Sequence, residues 1–139
     1  READAQKHLQ CVADHLKPGG IYILGFHLLP PDVDEECIER WRGKGRNVSV
    51  TFTLRVLDFC RRKRLETIRI SMLAKTAKGE LKGHTEFPFR IYKADQFRRL
   101  LSKVPDFDIE EIYDFDYDLE SPRDLNDELD DAVFILRKT

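Results

Sequence analysis

The sequence has few of the features that mark secreted, membrane-spanning or metal-binding proteins. Its 139 residues include three cysteines, Cys11, Cys37 and Cys60, with no Cys-x-x-Cys or Cys/His spacing. An odd number of cysteines without ligand spacing predicts reduced packing thiols. No apolar run reaches the about 18 residues of a membrane span, and the first residues lack a signal-like apolar region. We therefore expect a cytoplasmic protein without disulfides, metal or a membrane partner.

Charge of either sign is not in excess. Lys and Arg number 24 against 26 Asp and Glu, which gives a formal net charge of −2. This balance predicts no general affinity for nucleic acid or for an anionic membrane. Hydrophobic residues make up 41% of the chain, too large a share for a disordered protein. Since 139 residues suffice to bury a core, we expect a single domain over residues 1–139.

The first third has the pattern of an α/β crossover. Apolar residues recur at helical spacing over residues 5–16, and Pro18-Gly19-Gly20 then stops the helix. The unbroken apolar run 21–26 predicts a strand covered on both faces, as in the interior of a parallel sheet. A crossover needs an earlier parallel strand, and none precedes this helix in the sequence. We therefore expect the later part of a larger sheet.

A short helix is expected after this strand. Asp32 is a suitable N-cap, and Gly43-Lys44-Gly45 supplies a stop. Four residues would share the apolar face of this helix: Val33, Cys37, Ile38 and Trp41.

The middle of the chain changes period. Over residues 46–92, apolar and polar residues alternate in three extended runs, which predicts a three-stranded antiparallel meander inserted into the α/β chain. The apolar phase slips at Leu57, which predicts a bulge. Pro88 cannot donate to a strand ladder, so the third run is expected at a sheet edge.

The last third returns to the α/β pattern. An amphipathic helix is predicted to begin near Ala94-Asp95 and to end at Pro105, followed by a strand over residues 107–115. An acidic loop over residues 116–131 leads to the apolar run 132–136. Because that run is unbroken, it is expected to be a strand with neighbours on both sides.

Three segments together resemble a known family. They are residues 9–24 with the Leu16-Lys17-Pro18-Gly19-Gly20 turn, Phe89-Arg90-Ile91-Tyr92 with the helix after it, and the strands around Phe107-Asp108-Ile109 and residues 133–138. Their order is similar to the C-terminal half of a class I S-adenosylmethionine-dependent methyltransferase. The resemblance implies part of a Rossmann-like α/β sheet whose last strand is antiparallel. Lys93 stands where this family usually has Thr or Ser, so the helix cap is expected from Asp95 or elsewhere.

The resemblance also implies a function. Members transfer a methyl group from S-adenosylmethionine to an acceptor, here expected to be a small molecule, and the meander would be a lid or a dimerisation surface. The family's glycine-rich cofactor loop lies in its first half, so we expect no cofactor-binding residue in this chain and no activity of the chain by itself. Gly19-Gly20 precedes a strand instead of following one, and Gly43-x-Gly45 fails the same requirement.

Four side chains are candidate site residues. His27 directly follows the first strand and is a candidate base and substrate contact, because histidine titrates near neutral pH. Trp41 and Tyr92 are candidates for packing on a planar substrate, and Arg90 for pairing with an acidic one. Each also has a plain structural interpretation: a loop histidine, two core aromatics and a solvated edge arginine.

A non-catalytic alternative remains open. A methyltransferase-like module would pair through its meander or its exposed sheet edge, since a sheet without its first strands has an unpaired edge that promotes self-association. The basic turn Arg61-Arg62-Lys63-Arg64 has the character of a solvated hairpin tip without stacking aromatics, so nucleic acid is not expected.

Overall fold

A computed structural model describes residues 2–139, which form two compact units. The flanking unit consists of the residues up to Val33 together with Ile91–Thr139, and the inserted sheet consists of Asp34–Arg90. The elements in chain order are α1 (Glu2–His15), β1 (Ile21–His27), β2 (Ile38–Lys44), β3 (Val48–Cys60), β4 (Leu65–Thr76), β5 (Gly79–Arg90), α2 (Ala94–Leu101), β6 (Phe107–Tyr113) and β7 (Asp131–Lys138).

The sheet of the flanking unit is built around its last strand. Its order is β1-β7-β6, and β7 is antiparallel to both neighbours. The expectation that residues 132–136 form a strand with neighbours on both sides is confirmed. Because β7 is central, Ala132, Phe134 and Leu136 have no exposed surface.

Three aromatic rings fill the core of the flanking unit. Phe26 on β1, Phe97 on α2 and Phe134 on β7 have centroid separations of 4.5 to 5.4 Å. Helix α2 also buries Leu100 and Leu101. A fully buried side chain of this size stabilises the fold by about 1.5–3 kcal/mol, so this cluster is a principal source of stability.

The Pro-Gly-Gly turn is tied to the end of β7. Gly19 has a φ of +79°, a conformation that favours glycine. A Cβ at Gly20 would lie 2.8 Å from the carbonyl oxygen of Lys17, so glycine is also needed there. The Gly19 N–H donates to the Lys138 carbonyl at 2.8 Å, and the Lys138 N–H donates to the Gly20 carbonyl at 2.8 Å.

Strand β1 differs from the expectation of a doubly covered interior strand. Its one partner among residues 2–139 is the antiparallel β7, so it lies at an edge of the described sheet. Ile23 is 65% exposed and Ile21 is 47% exposed, whereas Phe26 is buried. The prediction is wrong for the described residues because helical packing covers only one face of β1.

The cap of α2 comes from Gln96 and not from Asp95. The Oε1 of Gln96 accepts the backbone N–H of Lys93 at 3.1 Å. The carboxylate of Asp95 accepts from Arg99 Nη1 at 2.6 Å, one turn along the helix. This hydrogen bond with Arg99 lowers the pKa of Asp95.

The inserted sheet has four strands in the order β2-β3-β4-β5, all antiparallel, where three were predicted. The extra strand is β2, so the predicted helix over this segment is wrong. Val33 precedes β2, and Ile38 and Trp41 lie on it. The segment pairs with the otherwise free edge of β3, and such tertiary pairing overrides local propensity. With β2 included, this unit begins at Asp34 and not at residue 46.

Two finer predictions for the inserted sheet are confirmed. The pairing of β3 with β4 shifts register between Val56 and Asp58, at the predicted bulge. Strand β5, which contains Pro88, lies at an edge of the sheet.

The three cysteines are free thiols. Cys37 and Cys60 are half-buried, but Cys11 is exposed on α1 and is not the packing thiol that was expected. Within residues 2–139, neither helix has the length and apolar character required to cross a bilayer.

Replacement of Asp106 by Asn is expected to destabilise the protein at neutral pH and to have less effect in acid. Asp106 forms an ion pair with Lys138 and accepts a hydrogen bond from Gln10 Nε2 at 3.0 Å. Lys138 and then Gln10 lower the pKa of Asp106. Its contribution is therefore present above the unfolded pKa and is lost as the pH falls through the lower folded value, below about pH 4.

Urea unfolding of the native chain and Asp106→Asn between pH 3 and pH 7 measures this effect. Asp124→Asn, in the exposed loop before β7, is the matched control and should change stability little at any pH. A difference in unfolding free energy between the native chain and Asp106→Asn that does not depend on pH would contradict the proposed contribution of the ionised Asp106.

Candidate functional site

The carboxyl end of β1 brings His27 next to an acidic side chain. His27 lies opposite Asp131 in the β1–β7 register, and its Nε2 is 3.9 Å from the Oδ1 of Asp131. Both side chains are partly accessible, with relative exposures of 23% and 33%. In doubly wound sheets, ligands bind outside the carboxyl ends of the strands, which is where this pair lies.

Two aromatic rings extend from the same end of the sheet. The ring of Phe115 is 6.0 Å from that of His27. Tyr117 stacks on Phe115 at 6.0 Å with an interplanar angle of 4° and is 66% exposed. Tyr117 also has a positive φ of 56°, an uncommon conformation for a non-glycine residue. The result is an aromatic surface that begins beside the imidazole and reaches solvent.

Tyr92 lies in the core of the flanking unit. Its ring packs edge-on against Phe26 at 6.0 Å and against Phe97 at 6.2 Å, and it is 6% exposed. Its backbone is paired in parallel with Leu28, one residue after His27. Tyr92 therefore supports the loop that follows β1, through its backbone and its buried ring.

The other two candidates belong to the inserted sheet. Trp41 is on β2 and is 51% exposed. Arg90 ends β5, and its Nη1 donates to the carbonyl of Lys63 at 3.4 Å. Arg90 thereby holds the turn between β3 and β4 instead of extending freely into solvent. The expected contacts of Trp41 and Arg90 with a substrate remain predictions.

Sequence reasoning missed the neighbours of His27. Asp131 was part of an acidic stretch in which no single carboxylate stood out, and only the β1–β7 register selects it. Phe115 was included in a predicted strand, but β6 ends at Tyr113, so Phe115 belongs to the loop that returns towards β1. The sequence offered one signal for this pair. His27 ends an apolar run, and Asp131 stands where the acidic loop meets the last apolar run.

The arrangement is suited to moving a proton beside a planar or apolar ligand. A carboxylate near an imidazole favours the imidazolium and orients the ring, which is the role of the acidic member in histidine-based acid–base catalysis. The Phe115–Tyr117 stack, in which Phe115 is half-buried and Tyr117 is exposed, offers contact area for the body of a ligand. The separation of 3.9 Å between His27 and Asp131 is within the range of an ion pair but is longer than a hydrogen bond.

The described residues do not fit a nucleotide-like cofactor. Such a cofactor requires a glycine-rich turn that follows a strand and opens a helix. Helix α2 is preceded by Ile91, Tyr92 and Lys93, and Gly19-Gly20 leads into β1. Gly43 lies within β2, and Gly45 belongs to the β2–β3 turn. Residues 2–139 also contain no group of three or more His, Cys, Asp or Glu side chains arranged around a metal.

No family model matches this chain, and no curated protein matches its sequence. The fold is similar to that of a S-adenosylmethionine-dependent methyltransferase from Clostridium acetobutylicum, at 16% identity over 99% of this chain and 52% of that one, with a TM-score of 0.60. It is also similar to CalS10, an amino pentose methyltransferase from Micromonospora echinaspora, at 12% identity over 100% of this chain and 52% of that one, with a TM-score of 0.60.

A third similar structure is the sugar N-methyltransferase KedS8 from a Streptoalloteichus species, at 16% identity over 100% of this chain and 51% of that one, with a TM-score of 0.59. This chain thus spans about half the length of each of these structures. The predicted fold class, part of a Rossmann-like methyltransferase sheet with an antiparallel insertion, is confirmed.

Replacement of Tyr92 by alanine is expected to cost about 3–5 kcal/mol of unfolding free energy, because a buried ring is lost from the aromatic core. Tyr92→Phe keeps the ring and should cost far less. The exposed Tyr117 is the matched control, and Tyr117→Ala should change stability by no more than about 0.5 kcal/mol. Urea unfolding measures all three variants, and equal losses for Tyr92→Ala and Tyr117→Ala would contradict the core assignment.

Proposed function

We propose that this chain is the acceptor-side half of a S-adenosylmethionine-dependent methyltransferase. The observation that carries the proposal is the fold similarity to three methyltransferases. The similarity covers nearly all of this chain but only about half of each of the other chains. The element order from α1 to β7 corresponds to the later part of such a fold, so the proposed half is the C-terminal one. The cofactor would be held outside the described residues.

His27 is the proposed base of the acceptor site. A nucleophilic amine or hydroxyl must lose a proton as it is methylated, and an imidazole at the carboxyl end of β1 is suited to accept it. Asp131 would stabilise the resulting imidazolium, at 3.9 Å in the present geometry. Asp131 is therefore a positioning residue, whereas His27 would contact the acceptor.

The proposed acceptor is a small molecule. CalS10 acts on an amino pentose and KedS8 on a sugar nitrogen, and both share the fold of this chain. The Phe115–Tyr117 stack would hold the body of the acceptor beside His27, since aromatic faces commonly pack on sugars and other flat apolar surfaces. Alignment of the acceptor with the methyl donor is the main requirement of this reaction class.

The first test is calorimetric titration of the 139-residue chain with S-adenosylmethionine. We expect no binding at micromolar concentrations, because the described glycines do not form a cofactor loop. Micromolar binding would contradict the assignment of the cofactor site to another segment. A second observation is the sequence encoded before Arg1, where the proposal requires a strand followed by a glycine-rich turn and a helix.

The second test concerns the proposed base. In protein that contains the cofactor-binding half, His27→Gln is expected to lower the rate of methyl transfer by about 100-fold or more, as is typical for loss of a general base. His15→Gln, at the exposed end of α1, is the matched control and should leave the rate unchanged. Equal rates for native protein and His27→Gln would exclude His27 as the base.

A second candidate function is self-association through the inserted sheet. One face of this sheet, named the apolar face, carries hydrophobic side chains from all four strands. Among them are Trp41, Val48, Val50, Phe52, Leu54, Ile70, Met72 and Leu81. Several are large and exposed, including Leu81 at 65% and Phe52 at 41%. Contiguous exposed apolar patches of this kind usually mark interaction sites.

The proposed occupant of the apolar face is a second copy of this chain. In a twofold dimer the same patch meets itself, so cations spread over the patch would lie close to the cations of the second copy. From Glu39 on β2 to Phe87 on β5, the residues whose side chains lie on this face include no Lys or Arg. Glu39 is the single acidic residue among them. The lack of like charge makes self-pairing electrostatically permissible.

A charge on the apolar face is expected to prevent this association. Phe52→Glu should give a monomer by light scattering after gel filtration, whereas the native chain should be a dimer. Thr53→Glu is the matched control, because adjacent strand residues point to opposite faces, and it should remain a dimer. A native chain that is monomeric, or two variants with the same mass, would overturn the second candidate.

A further inference from the structure

The two units of this chain carry opposite net charge. The inserted sheet, Asp34–Arg90, contains 14 Lys and Arg against 8 Asp and Glu, a net charge of +6. The other residues contain 10 Lys and Arg against 18 Asp and Glu, a net charge of −8. The total of −2 conceals this separation. Strong asymmetry of this kind points to an anionic partner for the basic part.

The basic residues of the inserted sheet are concentrated on the face opposite the apolar one, named the cationic face. Three rows of side chains cross the four strands on it. They are Arg40, Thr53, Ser71 and His84; Arg42, Thr51, Leu73 and Lys82; and Lys44, Ser49, Lys75 and Glu80. Cations thus line the outer strand β2, while Lys75 lies on β4 and Lys82 on β5, and hydroxyl groups occupy most of the middle of the face.

The cations of β2 have no carboxylate partner among residues 2–139. Lys75 and Lys82 on the opposite side share Glu80, at 2.9 and 3.6 Å. Arg40 donates through Nε to the Thr53 hydroxyl at 3.3 Å, which leaves its other donors for a ligand. Within the described residues, neither Arg42 nor Lys44 lies within ion-pair distance of a carboxylate.

The cationic face is concave and of small-molecule size. The basin over it has a volume of about 710 Å³ and is lined by these cations and hydroxyl groups together with Met72, Leu73, Gly83 and His84. Ligand sites for small molecules range over about 300–1,000 Å³. Successive cations on β2 are about 7 Å apart along the strand, since alternate residues share a face. A single orthophosphate would engage only one or two of them, whereas a ligand with linked phosphates would reach more.

We propose that the cationic face binds a small anion that carries two or more linked phosphate groups. Arg40, Arg42 and Lys44 supply charge-assisted hydrogen bonds to the phosphate oxygens, and arginine in particular binds such oxygens through two parallel donors. The hydroxyls of Thr51, Thr53 and Ser49 complete the floor, and Lys82 closes the opposite side. This site does not depend on the proposed methyl transfer, since all of its residues belong to the inserted sheet.

Nucleic acid fits this face less well than a small oligophosphate. Single-stranded binding surfaces combine cations with aromatic side chains on which bases stack, and the three rows contain no Phe, Tyr or Trp.

The test is calorimetric titration of the full chain with pyrophosphate and with orthophosphate at low ionic strength. Pyrophosphate should bind at least about tenfold more tightly, because it engages more cations. The double variant Arg42→Gln/Lys44→Gln should weaken pyrophosphate binding by about tenfold or more. The matched control Arg62→Gln/Lys63→Gln removes the same charge from the turn between β3 and β4, about ten residues along β3 from Thr51, the strand partner of Arg42, and should change affinity less than about twofold.

Three results would overturn the proposal. An equal loss of pyrophosphate affinity in the two double variants would show that the anion is attracted by the overall charge of the unit and not by a specific site. Equal affinity for orthophosphate and pyrophosphate would exclude recognition of linked phosphates. The face would be assigned to nucleic acid if a DNA duplex bound the native chain more tightly than pyrophosphate does and if that binding were lost in Arg42→Gln/Lys44→Gln. Thermal unfolding verifies that each variant is folded, and Lys82→Gln, with a smaller expected loss, provides an independent variant on the opposite side.

Discussion

The pairing of β7 on both of its edges is the constraint on which the flanking unit depends. A strand with a hydrogen-bonded neighbour on each edge has its backbone groups paired within the sheet, and Ala132, Phe134 and Leu136 on β7 are unexposed. One end of β7 holds the Gly19-Gly20 turn through Lys138, and the other end brings Asp131 opposite His27. The strand that stabilises the core therefore also sets the geometry of the candidate site.

The inserted sheet follows a simpler rule, the alternation of side chains along a strand. Adjacent residues such as Phe52 and Thr53 point to opposite faces, so one sequence period produces an apolar face and a cationic one. The two faces therefore differ in chemistry and suit different partners. The two proposals for this unit, a second copy and an oligophosphate, assign one partner to each face, and they are mutually compatible for that reason.

Most of the fold was predictable because its signals are local. Helix α1 and its glycine stop, the bulge near Val56 and the central β7 all follow from periodicity and turn chemistry. Strand β2 was not predictable, because its apolar residues Ile38 and Trp41 are three apart, which is a helical spacing, and only the pairing with β3 makes the segment a strand. The candidate site was only half predictable. His27 follows a strand visibly, but Asp131 is selected by a register between segments about a hundred residues apart.

The short link between Leu28, Leu29 and Tyr92 has a consequence for how this protein was assembled. Leu28 is bridged to Tyr92, and the Leu29 N–H donates to the Tyr92 carbonyl at 2.9 Å, so the chain leaves and re-enters the flanking unit at nearly the same point. Closing a loop costs entropy that grows only with the logarithm of its length. A fold with adjoining exit and entry points can therefore accept, lose or exchange whole segments at small cost. This junction is a natural graft point, at which evolution or design can fit a different sheet while the Phe26–Phe97–Phe134 core is kept.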